Sequence, residues 1–340
     1  MASRNGNNVS SGGPSRVVCV TGAGGFIGTW LVKELLLRGY HVNGTVRNPE
    51  SNAHLKELEG AAERLTLYKA DIRDHENIRN AFRGCEGVFH VAAPVIDDKA
   101  VVSLAIEGTR NIINAAADVG ARRVVLTSSI GAIHMNPKRS PDTVVDENCW
   151  SDVDYCEKTK NYYSMSKTIE EMAAIVEAKA RGIELAIVIP AITTGPMLQP
   201  RLNSGLMHIL RYIVGEKTNL PNAVTGYVDV KDVAQAHILV YENPNASGRY
   251  FCVERVIHRA ELVDMLDELL PEKNIKARIK NNIKEKIKPY KFSNQRLKDL
   301  GLEFTPLKKS LYETVKKFEE RGFLSLPKDM DFQKLIRASL

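Results

Sequence analysis

In the stretch KNYYSMSK, residues 160–167, Tyr163 and Lys167 stand four apart. On a helix that spacing puts a phenol and an ammonium on one face, within reach of the same small volume. A free phenol titrates near about 10, too high for ready proton exchange at neutral pH; a neighbouring ammonium favours the phenolate and lowers that value. Tyr162 is five residues from Lys167 and falls on a different face, which selects Tyr163. Upstream, an apolar run ends in Thr127-Ser128-Ser129. A serine hydroxyl at such a strand end can hold the oxygen of a substrate while the phenol delivers a proton to it. A Tyr-x-x-x-Lys pair alone occurs by chance on many surface helices, so its meaning depends on the rest of the chain.

The rest of the chain supplies a dinucleotide loop. Residues 16–28, RVVCVTGAGGFIG, pass from a β-branched run into glycines at Gly22, Gly25 and Gly28 and then into an apolar-striped helix that opens with Phe26 and Ile27. In that spacing the first glycine permits a tight turn, the second lets backbone approach a pyrophosphate, and the third lets helix pack on strand, with free N–H groups of the first helical turn facing the phosphates. About twenty residues beyond such a loop, NAD enzymes place a carboxylate on the adenosine ribose. This chain has Arg47, followed by Asn48. A guanidinium binds a 2′-phosphate that a carboxylate would repel, so the expected cofactor is NADPH. The plainer reading of Arg47 is a solvated loop arginine.

These groups need a scaffold, and the hydrophobic pattern describes one. Strands are expected at Val17–Val20, 41–46, 65–69, 88–91, 124–126 and 183–189, with helices between them. The alternation predicts an α/β fold, a Rossmann doubly wound parallel sheet built from right-handed crossovers. Ligands in such sheets bind beyond the carboxyl ends of the strands. Asp71 and Ile72 fall there after the third strand, and Val91, Ala92 and Ala93 after the fourth. Asp71 can reach an adenine or cap the following helix, and both roles are open. Asp229 or Asp232 is expected to cap or flank the helix through His237. Met165 and Met207 suit an acyl pocket or, more commonly, core filling. The lysine-rich segment 276–291 reads as solvated surface.

The 340 residues are 44% hydrophobic and 26% charged, with a net charge of +6. That is the balance of a globular protein with a mild bias toward anionic ligands. Residues 1–15 are polar and rich in Ser, Gly and Asn, and read as a disordered tail; 326–340 is taken as a second tail. Five scattered cysteines, with no C-x-x-C pairing, suggest a reduced, cytoplasmic setting and no metal site. Cys149 and Cys156 are close enough in sequence to pair under oxidation. The expected partner is a small molecule, with neither nucleic acid nor membrane, and the chain is expected to be a monomer or homodimer.

Taken together, the glycine loop, Thr-Ser-Ser and Tyr-x-x-x-Lys resemble the extended short-chain dehydrogenase/reductases. More narrowly, GTVRNP (44–49), GVFHVAAP (87–94), TSSIGA (127–132), DENCWSD (146–152) and YVDVKDVAQAH (227–237) resemble plant cinnamoyl-CoA reductases and their dihydroflavonol reductase relatives. The resemblance spans about residues 16–325. It implies a Rossmann domain, mainly 16–190, and a smaller C-terminal substrate lobe, mainly 191–325, with a segment near 224–242 returning to the Rossmann part. It implies Ser129, rather than Ser128, as the catalytic serine beside Tyr163 and Lys167, with Ser128, Pro190, Ile192 and Thr193 near the nicotinamide. His208, Arg211 and Arg259 resemble the H-x-x-K and arginine positions linked to CoA recognition, although Arg211 replaces the lysine. Two departures bear on substrate. The family's N-W-Y-C-Y-G-K reads N-Y-Y-S-M-S-K here, and His134 matches neither branch at its position. The implied reaction is NADPH-dependent reduction of a hydroxycinnamoyl-CoA thioester. A ketone or aldehyde reductase of the dihydroflavonol type and a noncatalytic NADPH sensor are the alternatives.

Overall fold

The computed structural model describes residues 16–93, 98–140 and 142–325. Both expected tails lie outside the described residues. The strands are β1 Val17–Thr21, β2 His41–Val46, β3 Leu65–Lys69, β4 Gly87–His90, β5 Arg123–Thr127, β6 Glu184–Pro190, β7 Ile192–Thr194, β8 Val224–Asp229, β9 Gly248–Cys252 and β10 Arg255–His258. The helices are α1 Phe26–Leu37, α2 Ala61–Arg64, α3 His75–Phe82, α4 Ala100–Asp118, α5 Val153–Lys158, α6 Tyr162–Arg181, α7 Ser204–Ile213, α8 Val230–Glu242, α9 Arg259–Leu269, α10 Ile275–Arg278, α11 Gln295–Asp299 and α12 Leu307–Glu320.

Seven strands form one parallel sheet in the order β3-β2-β1-β4-β5-β6-β9. The order runs outward from β1 in both directions, as the doubly wound reading requires. Strands β4 and β5 are buried along their whole length, because helices cover both faces and leave no room for polar alternation. Helices α4 and α6 pack together on one face and α1 and α8 together on the other. Arg123 is 2% exposed. Its guanidinium donates to Glu184 and, through Nη1, to the carbonyls of Val240, Tyr241 and Asn243. It thus satisfies the otherwise orphaned C-terminal carbonyls of α8 with a positive charge.

A second, smaller sheet has the order β10-β8-β7. The segment near 224–242 divides between the two sheets. Helix α8 packs on α1 and the large sheet, whereas β8 pairs with β7 and β10. The large sheet is completed by β9, parallel to β6. Its sequence, GRYFC, lacks a β-branched run, and from it Arg249 reaches across to Glu171 of α6. Asp229 caps α8 by accepting from Lys231 N at 2.8 Å, and Asp232 instead accepts from Thr305. Met207 and Met165 are both buried.

Candidate active site

The glycine turn lies beyond the carboxyl ends of β1 and β4. Gly22 has φ +67°, and a Cβ on it would come 2.9 Å from the backbone of Ala92. A Cβ on Gly28 would sit 2.2 Å from the Gly22 carbonyl oxygen. Both positions are therefore closed to any larger residue, and Ala92 lies directly against the turn. Gly25 is the N-cap of α1, no side chain caps the helix, and its first turn carries no acidic residue. Uncapped N–H groups at Phe26 and Ile27 with a favourable helix dipole fit a dinucleotide's pyrophosphate. Arg47, at the end of β2, is exposed and bonds to no other side chain among the described residues, which suits a phosphate partner.

Asp71 accepts both arms of the Arg73 guanidinium, at 2.8 and 2.9 Å. The Arg73 hydrogen bond holds its carboxyl down at about 2, and Arg47 contributes. The capping role left open for Asp71 is corrected. Helix α3 starts at His75, and Asp74 caps it by accepting from Asn77 N at 3.1 Å. Ile72 packs on α4, where a Cβ on Gly108 would come 2.5 Å from its Cδ1.

At the end of β5 the two serines separate. Ser128 donates its hydroxyl to Glu171. Ser129 caps a short turn, Ile130–Ala132, by accepting from Gly131 N at 3.1 Å, and its own proton has no acceptor among the described residues. Gly131 lets α6 close on that turn, since a Cβ there would lie 3.1 Å from Ser164 Oγ and 3.4 Å from the Tyr163 ring. One turn along α6, Lys167 Nζ donates to the Thr127 carbonyl at 3.2 Å and to Glu170 at 2.8 Å. Burial by itself would depress the ammonium's pKa, but Glu170, Tyr163 and Glu171 outweigh it and hold it above the lysine range. Ser129, Tyr163 and Lys167 are thus gathered around one turn of backbone. The cysteines are free thiols, Cys156 buried and Cys149 partly exposed.

The substrate residues are gathered only in part. His208 on α7 and Arg259 at the start of α9 meet over Tyr227 of β8: Arg259 Nη1 donates to His208 Nε2 and, at 3.0 Å, to the Tyr227 hydroxyl. Burial, followed by Arg259, Lys217 and Arg211, pushes His208 down to about 2, so it is neutral. Arg211 adjoins this group, but both oxygens of Glu216 engage its guanidinium. His134 stands apart, turned back so that Nδ1 donates to the Ile130 carbonyl at 2.8 Å. The cluster reaches the serine turn through β8, where a Cβ on Gly226 would lie 3.1 Å from both Ala191 Cβ and Ile130 Cδ1. Pro190 ends β6 and Ile192 and Thr193 open β7, on either side of Ala191.

Several members of the site escaped the sequence reading. Lys217 lies 5.6 Å over the Tyr212 ring. Burial and the charges of Arg259 and Arg211 lower its pKa, and Glu216 offsets them only in part. Tyr212 is fully buried, and its hydroxyl has no hydrogen-bond partner among the described residues. Glu170 and Glu171 occupy the inward stripe of α6 that also carries Lys167, Ala174 and Ala178. Charges at helical positions that should be apolar were the available signal.

The sequence pattern of the NAD dependent epimerase/dehydratase family matches residues 18–253. Cinnamoyl-CoA reductase 1 of Oryza sativa subsp. japonica is 59% identical over 321 residues, covering 94% of this chain and 95% of its own. Among solved structures, vestitone reductase from alfalfa (Medicago sativa L.) superposes with a TM-score of 0.79 at 29% identity, covering 90% of this chain and 99% of its own. Gre2 of Candida albicans, solved in complex with NADPH, gives 0.78 at 26% identity, again covering 90% and 99%. The chain belongs to the NAD dependent epimerase/dehydratase family and, within it, to the cinnamoyl-CoA reductases.

Proposed function

We propose that the protein reduces a hydroxycinnamoyl-CoA thioester to the corresponding cinnamaldehyde with release of CoA, using NADPH. The observation that carries the thioester reading is the cationic set of Arg259, Lys217 and Arg211 around neutral His208, joined through β8 to the serine turn. CoA is a polyanion, opposite in sign to that set, and a small ketone would need no such set.

Gly22, Gly25, Gly28 and the first N–H groups of α1 would hold the pyrophosphate of NADPH, Arg47 its 2′-phosphate, and Pro190, Ile192 and Thr193 its nicotinamide end. When bound, the cofactor supplies the hydride for the carbonyl carbon. The chain's own groups handle the oxygen. The free Ser129 proton and the Tyr163 phenol are the donors for the charge that develops there. Tyr163 passes its proton to that oxygen, and the Lys167 ammonium stabilises the phenolate left behind. The hemithioacetal then collapses to aldehyde and thiol.

A substrate panel followed by NADPH oxidation tests this reading: p-coumaroyl-, caffeoyl- and feruloyl-CoA against a dihydroflavonol and a free aldehyde. Turnover is expected with at least one thioester. Brisk consumption with the dihydroflavonol or aldehyde alone would move the protein to the ketone-reductase reading, and tight NADPH binding without turnover on any of them to a sensor.

A further inference from the structure

We propose that Glu170 is the positioning residue of Lys167: it holds the lysine's ammonium at the end of β5 and keeps it charged, and it is held in turn by a buried chain through Thr109, His90 and Thr21 that reaches the peptides beside the glycine turn. The inference rests on the reading of Lys167 as a catalytic group.

Lys167 and Glu170 meet at 2.8 Å with side chains only 5% and 3% exposed. An ammonium so far from water sheds its proton unless an anion compensates it. Glu171 is also near, but Ser128 and Arg249 already engage its carboxylate. Glu170 is therefore the counter-ion.

The second oxygen of Glu170 starts the chain. Oε1 accepts from Thr109 Oγ1 at 3.0 Å. Thr109 Oγ1 lies 3.4 Å from His90 Nε2, and Thr21 Oγ1 lies 2.9 Å from His90 Nδ1. Thr21 Oγ1 also receives the N–H groups of Val91 and Ala92, both at 3.2 Å. These contacts fix every donor. With its lone pairs taken by two peptides, Thr21 gives its proton to His90 Nδ1. The neutral imidazole then carries its proton on Nε2 and gives it to Thr109, which gives its own to Glu170. Burial, followed by the Lys167 charge, pushes His90 down to about 3, consistent with that single tautomer. The donors all point toward Glu170, so the chain stabilises the carboxylate and hands no proton onward. It also couples the peptides beside the glycine turn to the lysine.

The groups facing Lys167 are Tyr163, Glu170 and Glu171 from its own helix, His90 from β4 and the Thr127 carbonyl from β5, with Arg249 of β9 behind Glu171. Removing the negative charge beside Lys167 makes its ammonium proton easier to lose.

Glu170→Gln should therefore move the alkaline limb of kcat to lower pH by about one unit or more, a roughly tenfold loss of turnover above the limb. Glu170→Asp keeps the charge and should leave the limb near its wild-type position while lowering kcat. Glu170→Ala, which brings no buried amide, replaces the glutamine variant if that one does not fold. A Glu170→Gln or Glu170→Ala profile that keeps its limb in place, lowered equally at every pH or not at all, overturns the inference. Lys167→Met separates the two claims. Wild-type turnover in that variant would sink the catalytic reading of the lysine, whereas a dead Lys167→Met beside an unmoved Glu170→Gln limb would sink the positioning role alone.

Discussion

Replacing Arg259 with alanine removes the group that bridges His208 and Tyr227. It also removes a positive charge from a site whose other two cations, Arg211 and Lys217, stay in place. Arg211 is already engaged by Glu216, and Lys217 is held down by burial, so neither can take over the contact. A hydrogen bond to a charged partner is worth about 1.5–3 kcal/mol, which predicts a roughly ten- to hundredfold rise in KM for a CoA thioester. A free cinnamaldehyde carries no phosphate, and its KM should change by less than about threefold. Arg259→Lys should fall between wild type and alanine, because an ammonium keeps the charge but lacks the fork that spans two partners. The assay is steady-state NADPH oxidation with both substrates on each variant. Equal changes in both KM values would show a local packing defect, and an unchanged thioester KM would remove this cluster from CoA recognition.

Tyr163→Phe should bind NADPH as before and lose about 10² or more in kcat, while Tyr162→Phe keeps most of its turnover; near wild-type turnover in Tyr163→Phe would overturn the assignment. Arg47→Asp should shift preference from NADPH toward NADH, measured as the ratio of kcat/KM values; a wild-type enzyme that already uses both equally would exclude Arg47 as the phosphate reader. Acid should destabilise the fold. His90, His237 and His208 stay neutral when folded, with burial the leading cause that pushes them to about 3, 4 and 2, whereas in the unfolded chain they protonate near about 6.5. The unfolded state thus binds more protons below that value, and stability falls with pH by on the order of 2 kcal/mol between pH 7 and 6. Asp232, raised to about 6 by burial, offsets part of this. A Tm that rises on going from pH 7 to 6 would contradict the balance.

The parts of this molecule that were legible in the sequence are those set by local pattern. Strands β2 and β3 fall at their expected bounds and β1, β4, β5 and β6 within a residue of theirs, because parallel interior strands must be continuous apolar runs. The glycine turn and the Tyr163–Lys167 spacing are local patterns as well, and the structure places them at the start of α1 and on α6. What escaped depends on partners distant along the chain. Glu170 acquires its meaning from Thr109 and Lys167, and Lys217 from Arg259. In strand β9, Arg249 pairs with Glu171, donates to the Glu147 and Cys149 carbonyls and stacks 3.7 Å over Trp150, all partners distant along the chain. The distinction between Ser128 and Ser129 is of this kind too: neighbours in sequence, they differ because α6 offers a carboxylate to one of them.

The most direct test of the central claim is the ratio of free thiol released to NADPH consumed when the enzyme turns over a hydroxycinnamoyl-CoA. Reduction of the thioester to the aldehyde gives one thiol per NADPH, with the cinnamaldehyde as product. NADPH consumption with a dihydroflavonol or free aldehyde, and no thiol from any aromatic thioester, would contradict it.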